Sequence, residues 1–186
     1  MRKATLWGGL TLLMLTACST GSDGGPAVNT TQLASTQAIQ FYADLAAELA
    51  QAMGPVQNCG DFFQTLAALT QSMPCPEGGI RRNAYFDAAC SETPSLSGQA
   101  NLSWIFEECE VPGASVNGEI LGTFHWNGTE LDTELMTKGF LFNGLPQSFS
   151  DLNILVPGAD SPQCAGQILI TDEFCPVTPD CQFCPL

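Results

Sequence analysis

The chain has little positive charge: five lysines and arginines stand against 19 acidic residues among 186, and His125 is the only histidine. Arg2 and Lys3 lie at the start, so beyond Cys18 only Arg81, Arg82 and Lys138 remain, and the balance there is more negative than the −14 of the whole chain. Nucleic acid and bare anionic lipid are therefore poor partners, because both are held through clustered cations. One histidine leaves no HExxH site, and no GxSxG, Walker-type or dinucleotide-binding pattern occurs. The apolar run from Ala4 to Ala17 falls short of the roughly 20 residues of a membrane span. Charged residues make up 13% of the chain without a long acidic run, which reads as a solubilising surface. Basic partners or divalent cations are the alternative reading of the acidity.

What the amino terminus does have is a positive start, a short apolar core and the segment "LTAC" at residues 15–18, the layout of an export signal. "LTAC" resembles the lipobox of bacterial lipoproteins. The resemblance covers only the first 18 residues. It implies cleavage before Cys18, a diacylglycerol on the Cys18 sulfur, a fatty acyl group on the new amine and hence a membrane anchor. Ser19 in the next position implies, in a Gram-negative host, delivery to the outer membrane. An ordinary signal peptide cut elsewhere is the alternative. On this reading residues 1–17 are the lipoprotein signal peptide, and residues 18–33, rich in Gly, Ser, Thr and Asn, are lipid anchor and flexible tether. Residues 34–186 form a single disulfide-stabilised domain.

Eight cysteines remain beyond Cys18: Cys59, Cys75, Cys90, Cys109, Cys164, Cys175, Cys181 and Cys184. An even number in an exported chain predicts up to four disulfides. The competing reading is zinc at "CPVTPDCQFC", where Cys181 and Cys184 form a CxxC near Cys175; one CxxC without a second knuckle is weak evidence for it. Cys59 and Cys75 flank a predicted helix and would lie about 24 Å apart at 1.5 Å per residue, so they cannot pair. If the strands that begin near Ile80 and Gln99 are antiparallel neighbours, Cys75 and Cys109 meet at one end.

Helical spacing from position 35 places Ala38, Tyr42, Leu45, Leu49 and Ala52 on one face, ended by Gly54 and Pro55. A second stripe of Phe62, Leu66, Leu69 and Met73 runs from a cap at Asn58 or Asp61 to a stop at Pro74. The short link predicts an antiparallel helical hairpin. From about Ile80 the period becomes two. Ala100, Leu102, Trp104 and Phe106 share a face, as do Val116, Ile120, Phe124 and Trp126, then Leu152, Ile154 and Val156, then Ile168 and Ile170. Asn127 and Gly128 match a two-residue hairpin turn, which sets Trp126 opposite Thr129, Phe124 opposite Leu131 and Ile120 opposite Leu135. The expected fold is α+β, with a helical hairpin packed on an antiparallel sheet of five or six strands; a partly closed barrel is the alternative.

The solvent face of that hairpin gathers the densest polar group, with His125 facing Glu130 and with Asp132 and Glu134 beside them. A cation or basic partner is one reading, but near-parallel side chains on strands converge poorly, and a solvated face with a cross-strand ion pair is the plainer one. A hydrolase using His125 is the remote alternative. Trp104, Trp126, Phe140 and Phe142 either line a groove for a lipid, glycan or peptide or pack the core. With no catalytic set and no cofactor or metal pattern that closes, the expectation is a non-enzymatic envelope lipoprotein that acts as a binding or structural module on an envelope protein partner, the alternative being a binder of a small ligand, lipid or cation.

Overall fold

Helix α1 (Thr30–Met53) turns Ala38, Ile39, Tyr42, Ala43, Leu45, Ala46, Leu49 and Met53 into the core. Three of these are alanines, so the helix backbone lies close to the sheet beneath. The structure, a computed structural model, describes residues 30–157, 162–170 and 173–181. Within it α1 begins inside the stretch expected to be tether, because Thr and Gln are only mildly unfavourable or neutral in a helix and their polarity does not forbid its first turns. The helix stops where expected, with the Gly54 amide donating to Ala50 O at 3.1 Å just before Pro55.

Helix α2 (Cys59–Leu69) uses both candidate caps. Asn58 Oδ1 accepts from the Asp61 amide at 2.9 Å, while Asp61 Oδ2 accepts from Asn58 Nδ2 and from the Gln57 amide. It ends at Leu69, short of Pro74, with the Thr70 amide and hydroxyl both donating to Leu66 O. Met73, expected on the helical stripe, instead lies in strand β1 (Ser72–Pro74). A residue that precedes proline is pushed from helical toward extended backbone.

The remaining strands are β2 (Gly78–Ser91), β3 (Ser97–Val111), β4 (Ala114–Trp126), β5 (Glu130–Phe142), β6 (Leu145–Pro146), β7 (Ser148–Pro157), β8 (Gln163–Ile170) and β9 (Glu173–Pro176). They form one antiparallel meander in chain order, with β6 attached only to β5. The sheet has nine strands where five or six were expected, the short β1, β6 and β9 being too brief to show a period. Among the described residues it ends at β1 and β9 without joining them, so it is not a closed barrel. Helix α1 lies over β5, β7 and β8 and α2 beside β2, with slight contact between the helices.

Alternation sets the faces as expected: the named positions of β3, β4 and β7 are all buried. The side chains of Ile168 and Ile170 lie outside the described residues. The β4–β5 register differs. Trp126 pairs with Leu131, Phe124 with Thr133 and Ile120 with Thr137, a slip of two residues from the expected pairing. The turn centres on Gly128 and Thr129 rather than on Asn127 and Gly128. Asn127 Oδ1 accepts the amides of Thr129 and Glu130, and Gly128 takes φ of +96°, the positive value that the first central position of such a turn requires. An even slip keeps every side chain on its face, so the pattern of burial survives it.

Phe62 of α2 joins helix to sheet. Its buried ring stacks on Trp126 with centroids 6.3 Å apart and lies over Gly98, where an added Cβ would sit 2.3 Å from Phe62 Cε2. Gly98 pairs with Cys90, and Cys90 is bonded to Cys59 at the start of α2, so cross-link and ring fix the same corner. Gly98→Ala should therefore cost about 1–3 kcal/mol by overpacking. The measurement is the urea midpoint, and Phe62→Leu in the same chain should recover part of the loss.

Tyr42 is the largest polar intrusion in the core. Its ring meets Phe140 and Phe149, and its hydroxyl is buried without a hydrogen-bond partner. Burial raises its pKa well above the ordinary 10.0. The unfolded chain then ionises first, so stability is intact below pH 10.0 and falls as pH climbs from there toward the folded value. Tyr42→Phe should reduce that alkaline loss and, by deleting an orphan donor, leave stability near neutrality unchanged or raised by up to about 1 kcal/mol. Urea midpoints at about pH 7 and about pH 10.5 test both points.

Candidate functional site

The solvent-face group assembles only in part. His125 faces Asp132, not Glu130, because of the two-residue slip. Glu130 stands at the turn and accepts from Asn127 Nδ2 at 3.0 Å. Glu134 pairs with Thr123, in the next register row of the same face. His125, Glu130 and Asp132 border an open depression of about 520 Å³ together with Gln99 and Leu155. All four members of the group are exposed. Among the described residues no ion pair involves His125, and no three His, Cys, Asp or Glu side chains are grouped closely enough to hold a metal ion. The expected cross-strand ion pair is therefore corrected to a solvated row of separate side chains.

A second hollow lies on the inner face, where α1 passes β1, β2 and β3. It encloses about 340 Å³ and is mostly apolar, with Phe41 and Leu45 from α1, Phe106 and Val111 from β3, and Pro74, Cys75 and Pro76 from the corner between β1 and β2. Phe41, Asp44, Leu45 and Glu48 recur at helical spacing, which gives the α1 wall an apolar floor and an acidic edge. Arg81 closes one end. Its Nη1 donates to Glu48 Oε2 at 2.9 Å and its Nη2 to Glu48 Oε1 and Met73 Sδ, a two-pronged pair that ties α1 to β2.

Behind Arg81, strand β2 carries Asn83 and Tyr85 on the same inner face. The Tyr85 hydroxyl accepts from Trp104 Nε1 at 3.1 Å. Burial raises the Tyr85 pKa, against smaller lowering by the Trp104 hydrogen bond and by Arg81 and a small rise from Glu48. Tyr85 thus stays a neutral phenol at neutral pH, and Arg81 is already matched by its carboxylate.

Trp104, Trp126, Phe140 and Phe142 are all buried in the core, and of the four only Trp126 borders the 520 Å³ depression. Among the described residues the disulfides are Cys59–Cys90, Cys75–Cys109 and Cys164–Cys181. Cys75 and Cys109 meet as the antiparallel neighbourhood of β2 and β3 requires, with Gly78 opposite Glu110. Bonding of Cys181 to Cys164 removes it from the zinc reading of the CxxC. Cys18, Cys184 and the side chain of Cys175 lie outside the described residues. Among the described residues no helix is long and apolar enough to cross a membrane.

Sequence reasoning missed the inner hollow, since its walls come from segments about 30 residues apart in the chain. Its one local signal was "MPCPEGG", a cysteine held between two prolines. No protein-family model, curated protein or solved structure matches the chain.

The Arg81–Glu48 pair is asymmetric, with the arginine side chain 12% exposed and the glutamate 51%. Glu48→Ala strands a mostly buried guanidinium and should cost about 1–2 kcal/mol, below the 3–5 of a fully buried pair because water reaches the carboxylate. Arg81→Met removes the charge itself and should cost less than half as much. Urea midpoints of the two variants measured side by side check the order.

Proposed function

We propose that the protein is a lipid-anchored domain of the bacterial cell envelope, on the outer membrane if the host is Gram-negative, that works by binding rather than by catalysis. The observation that carries this reading is the combination of "LTAC" at residues 15–18 with the three disulfides among the described residues of the domain that follows. Disulfides persist in oxidising compartments outside the cytoplasm, and the lipobox-like segment supplies both export and an anchor on Cys18. Two or three acyl chains hold far more firmly than one, at about 0.8 kcal/mol per buried methylene.

The domain has the build of a receptor for a small ligand or an envelope partner. The two helices pack against the sheet, and a walled hollow remains beside α1. His125 stands on the opposite, solvent face with carboxylates that do not converge on it, which speaks against a hydrolase role.

Protein extracted from membranes should show an intact mass with acyl groups on Cys18 and no thiol that alkylates before reduction. Cys18→Ala should leave the chain uncleaved or soluble while the disulfides still form. An unmodified amino terminus other than Cys18 would sink the lipoprotein reading.

A further inference from the structure

We infer that the hollow between α1 and β1–β3 is a binding site for a small amphipathic amine, an alkyl or arylalkyl body ending in a protonated nitrogen. The inference rests on the reading of the domain as a binding module and is independent of the lipid anchor. Its volume of about 340 Å³ is within the range of small-molecule pockets.

The walls argue that the site is preformed. On one side Cys75 is bonded to Cys109 and stands between Pro74 and Pro76, whose backbone φ is fixed by their rings. On the other side α1 is held against the sheet by its buried alanines and by Tyr42. Neither wall is free to collapse onto the other.

Charge selects the ligand. Each of Arg81, Arg82 and Lys138 already lies against a glutamate, so among the described residues no lysine or arginine is without a carboxylate neighbour, although the buried Arg81 Nε makes no hydrogen bond. At the hollow Arg81 neutralises Glu48, and the charge left over is that of Asp44, exposed on the rim and hydrogen-bonded by Gln40. Asp44 follows Phe41 by three positions on the same helix face. A ligand with its apolar body against Pro76 and over the edge where the Phe41 and Phe106 rings meet would carry its ammonium to Asp44, beside the Phe41 ring that also attracts cations.

The chemistry is shared by a free amine and by a lysine side chain flanked by apolar residues, and the test separates them. Titrate the disulfide-intact mature chain by calorimetry and by amide NMR with n-octylamine, n-octanol, octanoate and a capped Leu-Lys-Leu peptide. Octylamine should bind about two- to fivefold more tightly than octanol, and more tightly still than octanoate, and shift amides at Asp44, Leu45 and Val111. Its affinity should fall as salt rises. Asp44→Asn should weaken it about two- to fivefold, the scale of one exposed charge pair. Val111→Trp should fill the hollow and abolish binding; Pro76→Trp, at an exposed position on the rim, serves the same purpose should the first variant not fold.

No binding of octylamine at about 5 mM, weaker than a useful millimolar affinity, would overturn the inference. So would octanoate matching octylamine, or amide shifts confined to the His125 face. Tighter binding of the peptide than of octylamine would also overturn the free amine as occupant and assign the site to a lysine of a partner protein. None of these outcomes touches the state of Cys18, so failure here is distinct from failure of the lipoprotein reading.

Discussion

An open sheet with one apolar face must have that face covered, and every other feature of this fold serves the cover. A closed barrel would bury its interior by its own curvature, whereas here β1 and β9 remain separate ends. Helix α1 does most of the covering, with alanines where it passes closest and with Tyr42 set against Phe140 and Phe149 where room remains. Helix α2 has a second task. Strand β1 pairs with β2 only from Ile80 to Arg82, and α2 runs from Cys59, bonded to Cys90, to Leu69, two residues before Gln71, whose carbonyl accepts the Asn83 amide. It thus lies along the length of β2 that β1 leaves without a strand, which is how exposed edges are kept from pairing with other chains.

The disulfides follow the same logic. One fastens α2 to the end of β2, one fastens the corner between β1 and β2 to β3, and one fastens the segment after β9 to β8. Each joins places that the ladder of the sheet does not hold. Their loops span 31, 34 and 17 residues, worth about 3–4 kcal/mol each in the chain-entropy picture. For a domain with a shallow one-sided core this is a large share of a typical 5–15 kcal/mol.

Faces were legible in the sequence and partners were not. Period two put Leu102, Trp104, Phe124 and Trp126 inside, and they are inside, because a residue's face depends only on its own strand. Register depends on the turn. A slip of two leaves all faces intact, so apolar alternation alone had no power to choose between Thr129 and Leu131 as the partner of Trp126. The Asn127 side chain made the choice by capturing two amides, an interaction that a dipeptide rule for positive φ does not contain. Helix α2 was overextended for a similar reason, since Met73 fits a helical stripe by spacing but precedes a proline. The inner hollow was beyond reach because Asp44, Arg81 and Val111 acquire a common surface only after the meander has folded.

Arg81 shows how the charge balance and the fold bear on each other. A chain so poor in cations places one of three beyond Cys18 in a mostly buried position, where its guanidinium spans the gap between α1 and β2. Burial of that group is costly unless a carboxylate meets it, and Glu48 does so with both oxygens. The pair holds the helix at a set distance from the strand, and the Pro74, Cys75 and Pro76 corner is held to β3 by its own cross-link. Two fixed walls that are positioned by different anchors have no reason to touch. The hollow between them is what remains when α1 is placed by the core on one side and by Arg81 on the other, and its acidic rim is what remains when the few cations have been spent on structure.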